Sequence, residues 1–262
     1  MTPVAIVTGA SAGIGAELAR VFARKGHTVM LVARREDRLL ELANEIAVPG
    51  QPAPLVLPLD LGERNAAEAI KAALKENDCE AQYVVNNAGF NLVGPAAEID
   101  RAEQLAMIDL NMRALLDLSL AFSDSLIKLR GGILNVGSLG GVMPGPCSAV
   151  YYASKAFVLL FSEALHEEWK PLGVRVTCLC PGPVLTEFQA RAGVSAAKSI
   201  TPFDVPADRV AAEGYRGLMQ GKRVVVPGLV PKLLFALVPR FMPRNFLLTR
   251  LEERQLKRRA SH

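Results

Sequence analysis

Two side chains four residues apart, Tyr151 and Lys155, open a stretch of apolar residues at helical spacing. On a helix such a pair shares one face, so the ammonium can reach toward the phenol. A tyrosine with its ordinary pKa near 10 is a poor acid or base at neutral pH. A cation beside it favours the phenolate and lowers that pKa, which suits proton exchange with an oxygen passing between carbonyl and alcohol. Ser138 follows the apolar strand-like run Ile133–Val136 and could hydrogen-bond the same oxygen as charge develops on it. Taken alone, Tyr-x-x-x-Lys says little, because both residues pack on helices everywhere; its weight comes from its place in the chain.

A second constellation lies at the N-terminus. A strand-like run ends in Thr8-Gly9-Ala10-Ser11-Ala12-Gly13-Ile14-Gly15 and passes into an amphipathic helix. Gly9 permits a tight turn, Gly13 lets the backbone approach a pyrophosphate, and Gly15 allows close helix–strand contact. The free N–H groups at the helix start favour phosphate charge. The second strand ends Ala33-Arg34-Arg35, where an acid would accept from ribose hydroxyls; the arginine forks favour a 2′-phosphate instead, so NADP(H) is the expected cofactor. The plainer reading is that both arginines open a solvated helix with Glu36 and Asp37. Asp60, after the third strand, either accepts from an adenine amino group or caps the following helix.

The elements that must position these residues alternate along the chain. Strands are predicted at Val4–Thr8, Thr28–Ala33, Pro54–Leu59, Tyr83–Asn86, Gly132–Val136, Val174–Cys180 and Arg223–Val226. Helices are predicted at Ile14–Arg24, Arg35–Ile46, Glu63–Lys75, Glu103–Leu129 and Ala153–Trp169. The strands are continuously apolar, as when both faces are covered, so the expected fold is α/β: a doubly wound parallel sheet of Rossmann type with ligands at the strands' carboxyl ends. We expect one catalytic domain over residues 1–228, with residues 229–262 as its C-terminal helical extension.

In this order the motifs resemble the short-chain dehydrogenase/reductase family, in its shorter, single-domain, NADP-preferring form. The likeness spans residues 3 to 228 and rests on Thr8-Gly9-x-x-x-Gly13-x-Gly15, Asp60, Asn86-Asn87-Ala88-Gly89, Asn111, Ser138, Tyr151-x-x-x-Lys155, and Pro181-Gly182 with Thr186. It implies hydride transfer between a nicotinamide cofactor and a carbonyl/alcohol pair. Tyr151 would be the acid in reduction and the base in oxidation, and Lys155 would lower its pKa and hold the nicotinamide ribose. Ser138 would position the substrate oxygen, and Asn111 would hold a water linking Lys155 to solvent. Cofactor contacts would come from Gly9, Ser11, Gly13, Ile14 and Gly15, from Arg34 and Arg35, and from Asp60 with Leu61. Asn87, Ala88 and Gly89 would line the adenosine and ribose side, and Pro181, Gly182, Val184 and Thr186 would meet the nicotinamide. Ala12 stands where some NADP-preferring members carry a basic residue, which leaves the phosphate to Arg34 and Arg35. Homo-oligomers through helices beside the active site are also implied. Tyr152 does not lie four before Lys155 and is expected to pack. An enoyl reductase would want a tyrosine seven before Lys155, where Ser148 stands, and a nucleotide-sugar epimerase would want a longer chain. The rival of another class is a non-catalytic NADP-binding sensor or scaffold.

The segments expected to meet substrate are apolar: Leu139 to Pro144, Phe188 to Phe203, and the tail. They point to a lipophilic carbonyl compound. From Leu229 onward, eight Lys/Arg stand against Glu252 and Glu253, an excess of +6 in a chain of formal net charge +4, so the remainder sums to −2 and gives no case for nucleic acid. Pro231, Pro239 and Pro243 are expected to break the tail into short helical pieces. It would serve as a lid, an oligomer contact or an anchor on an anionic membrane surface. No secretory signal or membrane span is read, and Cys79, Cys147, Cys178 and Cys180 show no zinc spacing, so a cytoplasmic setting with inert thiols is expected. His27, His166 and His262 are scattered, and no metal site is expected.

Overall fold

The structure, a computed structural model, describes residues 1–184, 186–188, 192 and 204–260, with the side chains at 239, 241, 244, 254 and 258–260 left aside. Leu185 and most of the predicted substrate segment 189–203 therefore lie outside the described residues.

Seven parallel strands form one sheet in the order β3-β2-β1-β4-β5-β6-β7. They are β1 (Thr2–Thr8), β2 (Thr28–Ala33), β3 (Leu55–Pro58), β4 (Cys79–Asn86), β5 (Gly132–Val136), β6 (Arg175–Leu179) and β7 (Val224–Val225). Side chains alternate across a strand, and both faces are covered here. Ala5 and Val7 of β1 join the core under α1 (Gly13–Arg24) and α2 (Glu36–Ile46), while Val4 and Ile6 join the core under α3 (Ala66–Glu76), α5 (Leu115–Ala121) and α6 (Ser123–Lys128). That double cover is why β1 and β2 read as unbroken apolar runs.

The predicted helix Glu103–Leu129 is in fact four pieces: α4 (Arg101–Ile108), a π-helical turn (Asp109–Ala114), α5 and α6. Asp100 caps α4, its carboxylate accepting from the N–H groups of Ala102 (2.8 Å) and Glu103 (3.1 Å). The π turn carries Asn111, and such insertions gather at functional sites. The helix α7 (Ala149–Trp169) begins four residues before its predicted start, which places Tyr151 in its first turn. After α8 (Ala207–Met219) come α9 (Leu229–Phe241) and α10 (Arg244–Ala260). The tail is thus less fragmented than its prolines suggested. Pro231 occupies the first turn of α9, where a missing N–H costs nothing, the helix runs on through Pro239, and only Pro243 separates the two helices.

A buried polar ladder ties the sheet to the helices behind it. Asn86 Nδ2 donates to Ser119 Oγ (3.1 Å) and Asn135 Oδ1 (2.9 Å), and Asn135 Nδ2 donates to Ser162 Oγ (2.9 Å). These bonds join β4, β5, α5 and α7 directionally, so α7 cannot slide along β5 without breaking them. The register of Tyr151 and Lys155 against Ser138 is set in this way.

Candidate active site

At the carboxyl ends of the strands lies a cavity of about 820 Å³. Its lining brings together the first glycine turn, Arg34 and Arg35, the segment after β4, the end of β5, the start of α7 and the loop after β6.

At the cofactor end the glycine turn is built as its sequence requires. Gly9 and Gly13 have φ of +63° and +56°, and a Cβ on Gly15 would stand 2.2 Å from the Gly9 carbonyl oxygen. Those conformations and approaches exclude larger residues. Ala12, at the N-cap of α1, contributes no side-chain bond and the first turn holds no acid, which suits that end of the helix to a phosphate. The residues present therefore fit a dinucleotide. Ser11, Ile14, Asp60's neighbour Leu61, and the Asn87-Ala88-Gly89 segment line the same space.

Thr8 was part of the motif but had no assigned role. Its Oγ1 donates to the Val85 carbonyl (2.9 Å) and accepts from the N–H groups of Asn87 (2.9 Å) and Ala88 (3.1 Å). Asn87 Nδ2 in turn donates to the carbonyls of Thr8 (2.9 Å) and Gly9 (3.3 Å). The Asn87 side chain thus clamps the glycine turn, while the residue also lines the space expected for the adenosine and ribose. Arg35 is held over that turn by Glu187 (2.8 Å) and by Ser11 Oγ (3.3 Å). Arg34 lies beside Asp60 at 3.6 Å, both more than two-fifths exposed. Neither arginine takes Glu36 or Asp37 as its ion-pair partner. Asp60 also accepts from the Gly62 N–H (2.9 Å), while the next helix starts only at Ala66, so Asp60 is not its cap.

At the catalytic centre Tyr151 is partly buried, and desolvation of its hydroxyl pushes the phenol up to about 12, against a smaller downward pull from a hydrogen bond with Ser138. The Ser138 hydroxyl oxygen also accepts from the Gly140 N–H (3.0 Å). The spacing led us to expect Lys155 to reach toward the phenol and lower its pKa, but the phenol is raised and Lys155 is not among the groups that act on it. Its Nζ donates to the Val136 carbonyl at 2.7 Å and lies 5.8 Å from the Tyr151 ring centre. Burial pulls its ammonium down to about 8. The Asn111 side chain is likewise committed: Nδ2 donates to the Phe90 carbonyl (2.9 Å), and Oδ1 accepts from the Phe90 N–H (3.0 Å). It holds the segment after β4 as a neighbouring strand would. A Cβ on Gly89 would approach Asn111 Oδ1 to 2.9 Å and Lys155 Nζ to 3.8 Å, which shows how closely these three are grouped.

In the loop after β6, Pro181, Gly182, Val184 and Thr186 all line the cavity, and Thr186 packs on the Cβ position of Gly13. Phe188 meets the Tyr151 ring at 5.8 Å between centres. Beneath the site, the Cys178 and Cys180 sulfurs stand 3.5 Å apart, and their mutual hydrogen bond and burial push the Cys180 thiol up, which keeps it unreactive. Tyr152 packs against Gly145 and also lines the cavity, so its role is wider than packing. Sequence reasoning missed Asn91, whose buried polar side chain lies in the cavity lining. Its only signal was its place two residues beyond Gly89. Among the described residues no group of His, Cys, Asp and Glu could hold a metal ion, and no helix is long and apolar enough to cross a membrane.

A glycine turn on β1, a clamped segment after β4, and Ser138, Tyr151 and Lys155 in one cavity define a nucleotide-dependent oxidoreductase. Residues 3–195 match the short chain dehydrogenase family, and the chain belongs to it. It is therefore an oxidoreductase acting on alcohol or carbonyl groups. The chain is 39% identical over 191 residues to sulfoacetaldehyde reductase 2 of Chromohalobacter salexigens, covering 72% of this chain and 75% of that one. It is 36% identical over 188 residues to the NADP-dependent 3-hydroxy acid dehydrogenase of Escherichia coli, covering 71% and 74%. The short-chain dehydrogenase of Sphingobium yanoikuyae, solved in complex with NADPH, superposes with a TM-score of 0.80 at 31% identity over 90% of this chain and 91% of that one.

Proposed function

We propose that the protein reduces a lipophilic ketone or aldehyde to the alcohol at the expense of NADPH. The observation that carries this reading is the placing of Tyr151 and Ser138 in a cavity whose outer wall is apolar except at Gln255. Leu234, Phe235 and Val238 of α9, with Leu247 and Leu251 of α10, form that wall. For this reason residues 229–262 are read as an extension of the catalytic domain 1–228.

Arg34 and Arg35 would hold the 2′-phosphate and the N-terminus of α1 the pyrophosphate. When bound, the cofactor supplies the hydride that reaches the carbonyl carbon. Ser138 donates to the carbonyl oxygen and orients it, and Tyr151 gives that oxygen its proton, leaving a phenolate stabilised by the nearby Lys155 ammonium. A raised phenol suits this direction, because the acid stays protonated at neutral pH. Asn111 acts by fixing the segment at Phe90, with any water relay to Lys155 passing beside it. The test is NADPH oxidation with a panel of aryl and alkyl ketones. Turnover on bulky, uncharged members supports the reading, and NADPH binding without turnover on any carbonyl compound would favour a sensor or scaffold.

The exposed faces suggest two partners. Leu105 and Ile108 of α4, Leu120 of α5 and Leu160 of α7 are exposed, as suits a homo-oligomer contact through these helices. On α9, Leu229, Leu233 and Leu237 are 73%, 51% and 48% exposed on the arc opposite the cavity, which at 100° per residue they share with Lys232 and Arg240. Apolar residues interleaved with cations suit an anionic membrane surface, from which a lipophilic substrate could enter. Sedimentation with anionic against neutral vesicles, for wild type and Leu233→Asp, tests this; binding equal in both proteins removes it.

A further inference from the structure

We infer that Asn91 is a substrate-specificity residue, and that the substrate carries a second, uncharged hydrogen-bonding group besides the reacting carbonyl. The inference rests on the carbonyl-reductase reading of the cavity and narrows its substrate class. Asn91 is 8% exposed and lines the cavity, yet its Oδ1 is shut off from solvent and receives no hydrogen bond from any described residue, so it is a turn of the carboxamide that would bring this oxygen to a ligand. Buried polar atoms in folded proteins are nearly always partnered, so such an atom calls for a reason. Stability alone would favour an apolar side chain of similar size, because removing an unpartnered polar group from the interior costs nothing and saves its desolvation.

The chain on either side is held firmly. Both backbone polar groups of Phe90 are bonded to Asn111, and the Leu92 carbonyl accepts from Ser148 Oγ at 3.2 Å. The carboxamide is therefore presented by a fixed backbone, and a half-turn of the amide exchanges its donor and acceptor ends. Elsewhere the cavity is walled by Leu139, Val142, Met143, Phe188 and Phe235, with Gln255 as a further polar side chain. An amide in such a wall gives direction more than affinity, and it rejects a ligand that leaves it unpaired. Among the described residues the cations lining the cavity are Arg34 and Arg35 at the cofactor end and Lys155, whose Nζ is bonded to Val136. The group meeting Asn91 is accordingly uncharged: a hydroxyl, an amide or a second carbonyl, and not a sulfonate or carboxylate.

The test compares aryl methyl ketones bearing either a hydroxyl or a methyl at the ortho, meta or para position, with sulfoacetaldehyde as the charged probe. Wild type and the variants Asn91→Leu and Asn91→Ser are assayed for kcat/KM with NADPH, NADPH affinity and melting temperature. For at least one position, wild type should prefer the hydroxyl compound about tenfold relative to Asn91→Leu, the scale of one hydrogen bond. Asn91→Ser should fall between them, NADPH affinity should not change, and Asn91→Leu should melt no lower than wild type. Equal hydroxyl-to-methyl ratios in all three proteins overturn the inference while leaving carbonyl reduction standing. A loss of NADPH affinity in Asn91→Leu would place the residue on the cofactor and also overturn it. Sulfoacetaldehyde reduced as well as the best ketone would overturn the uncharged requirement. Failure of wild type to reduce any of these compounds, with NADPH bound, would instead strike the underlying reading.

Discussion

At the cofactor end of the cavity the chain is held by direction: Thr8 and Asn87 place five hydrogen bonds among β1, β4 and the glycine turn, and positive φ angles at Gly9 and Gly13 admit no substitute. At the substrate end, α9 and α10 meet the cavity mainly through leucine, valine and phenylalanine side chains, whose contacts have no preferred direction, with Gln255 of α10 as a polar exception. One end is built to recognise a ligand of fixed shape and charge. The other tolerates change, so a new substrate can be admitted by altering a few side chains while the cofactor geometry stays intact.

If that contrast is right, damage at the junction should fall hardest on the chemistry. Tyr151→Phe is expected to lower kcat by about 10²–10⁴, the usual contribution of a general acid, with NADPH affinity unchanged. A variant that kept turnover would move the proton donor elsewhere. At the cofactor end, Thr8→Val removes an acceptor from two partly buried N–H groups; that of Asn87 keeps the Val85 carbonyl while that of Ala88 loses its partner, so unfolding free energy should fall by about 1–3 kcal/mol, measured by denaturant titration. Arg34→Ala should weaken NADPH about tenfold or more and leave NADH nearly unaffected, in line with the loss of a charge-assisted contact. Equal losses for both cofactors would assign Arg34 a role without the 2′-phosphate. At the substrate end, Phe235→Ala should raise KM for bulky ketones on the order of tenfold and spare NADPH binding and stability.

The pH dependence is a subtler test. The Tyr151 phenol, pushed up to about 12, stays protonated over the working range, while the Lys155 ammonium, pulled down to about 8, loses its charge as pH rises through that value. Ketone reduction should therefore be flat at neutral pH and fall above about 8. Alcohol oxidation, which needs the phenolate, should gain as pH rises. A reduction rate that holds level well past pH 8 would remove Lys155's charge from the mechanism.

Much of this was legible in the residues because it depends on local chemistry. Periodicity and continuous apolar runs marked six of the seven strands within about two residues, since double cover leaves no polar face to confuse the pattern. The exception, β4, starts four residues early at Cys79 because Glu80 and Gln82 tolerate partial exposure near its entry. The glycine turn and the Tyr151–Lys155 pair depend on spacing along one element, which a sequence states directly. Partners across the fold are another matter. That Asn111 would grip Phe90, that Asn87 would clamp Gly9, and that Lys155 would bond Val136 depends on atoms brought together from separate strands and helices.

By itself, the sequence determined the class of chemistry: an α/β dinucleotide fold, an arginine pair where an acid would refuse a 2′-phosphate, and an acid poised on a helix. Only the tertiary structure decided which polar groups were already spent and which remained for a ligand. Hydrogen bonds saturate, so a side chain's type states what it can offer, and its three-dimensional neighbours decide what it still has to give. Asn111 is used up within the protein and Asn87 spends its Nδ2 there, whereas Asn91, of the same type, keeps an oxygen that no described residue meets.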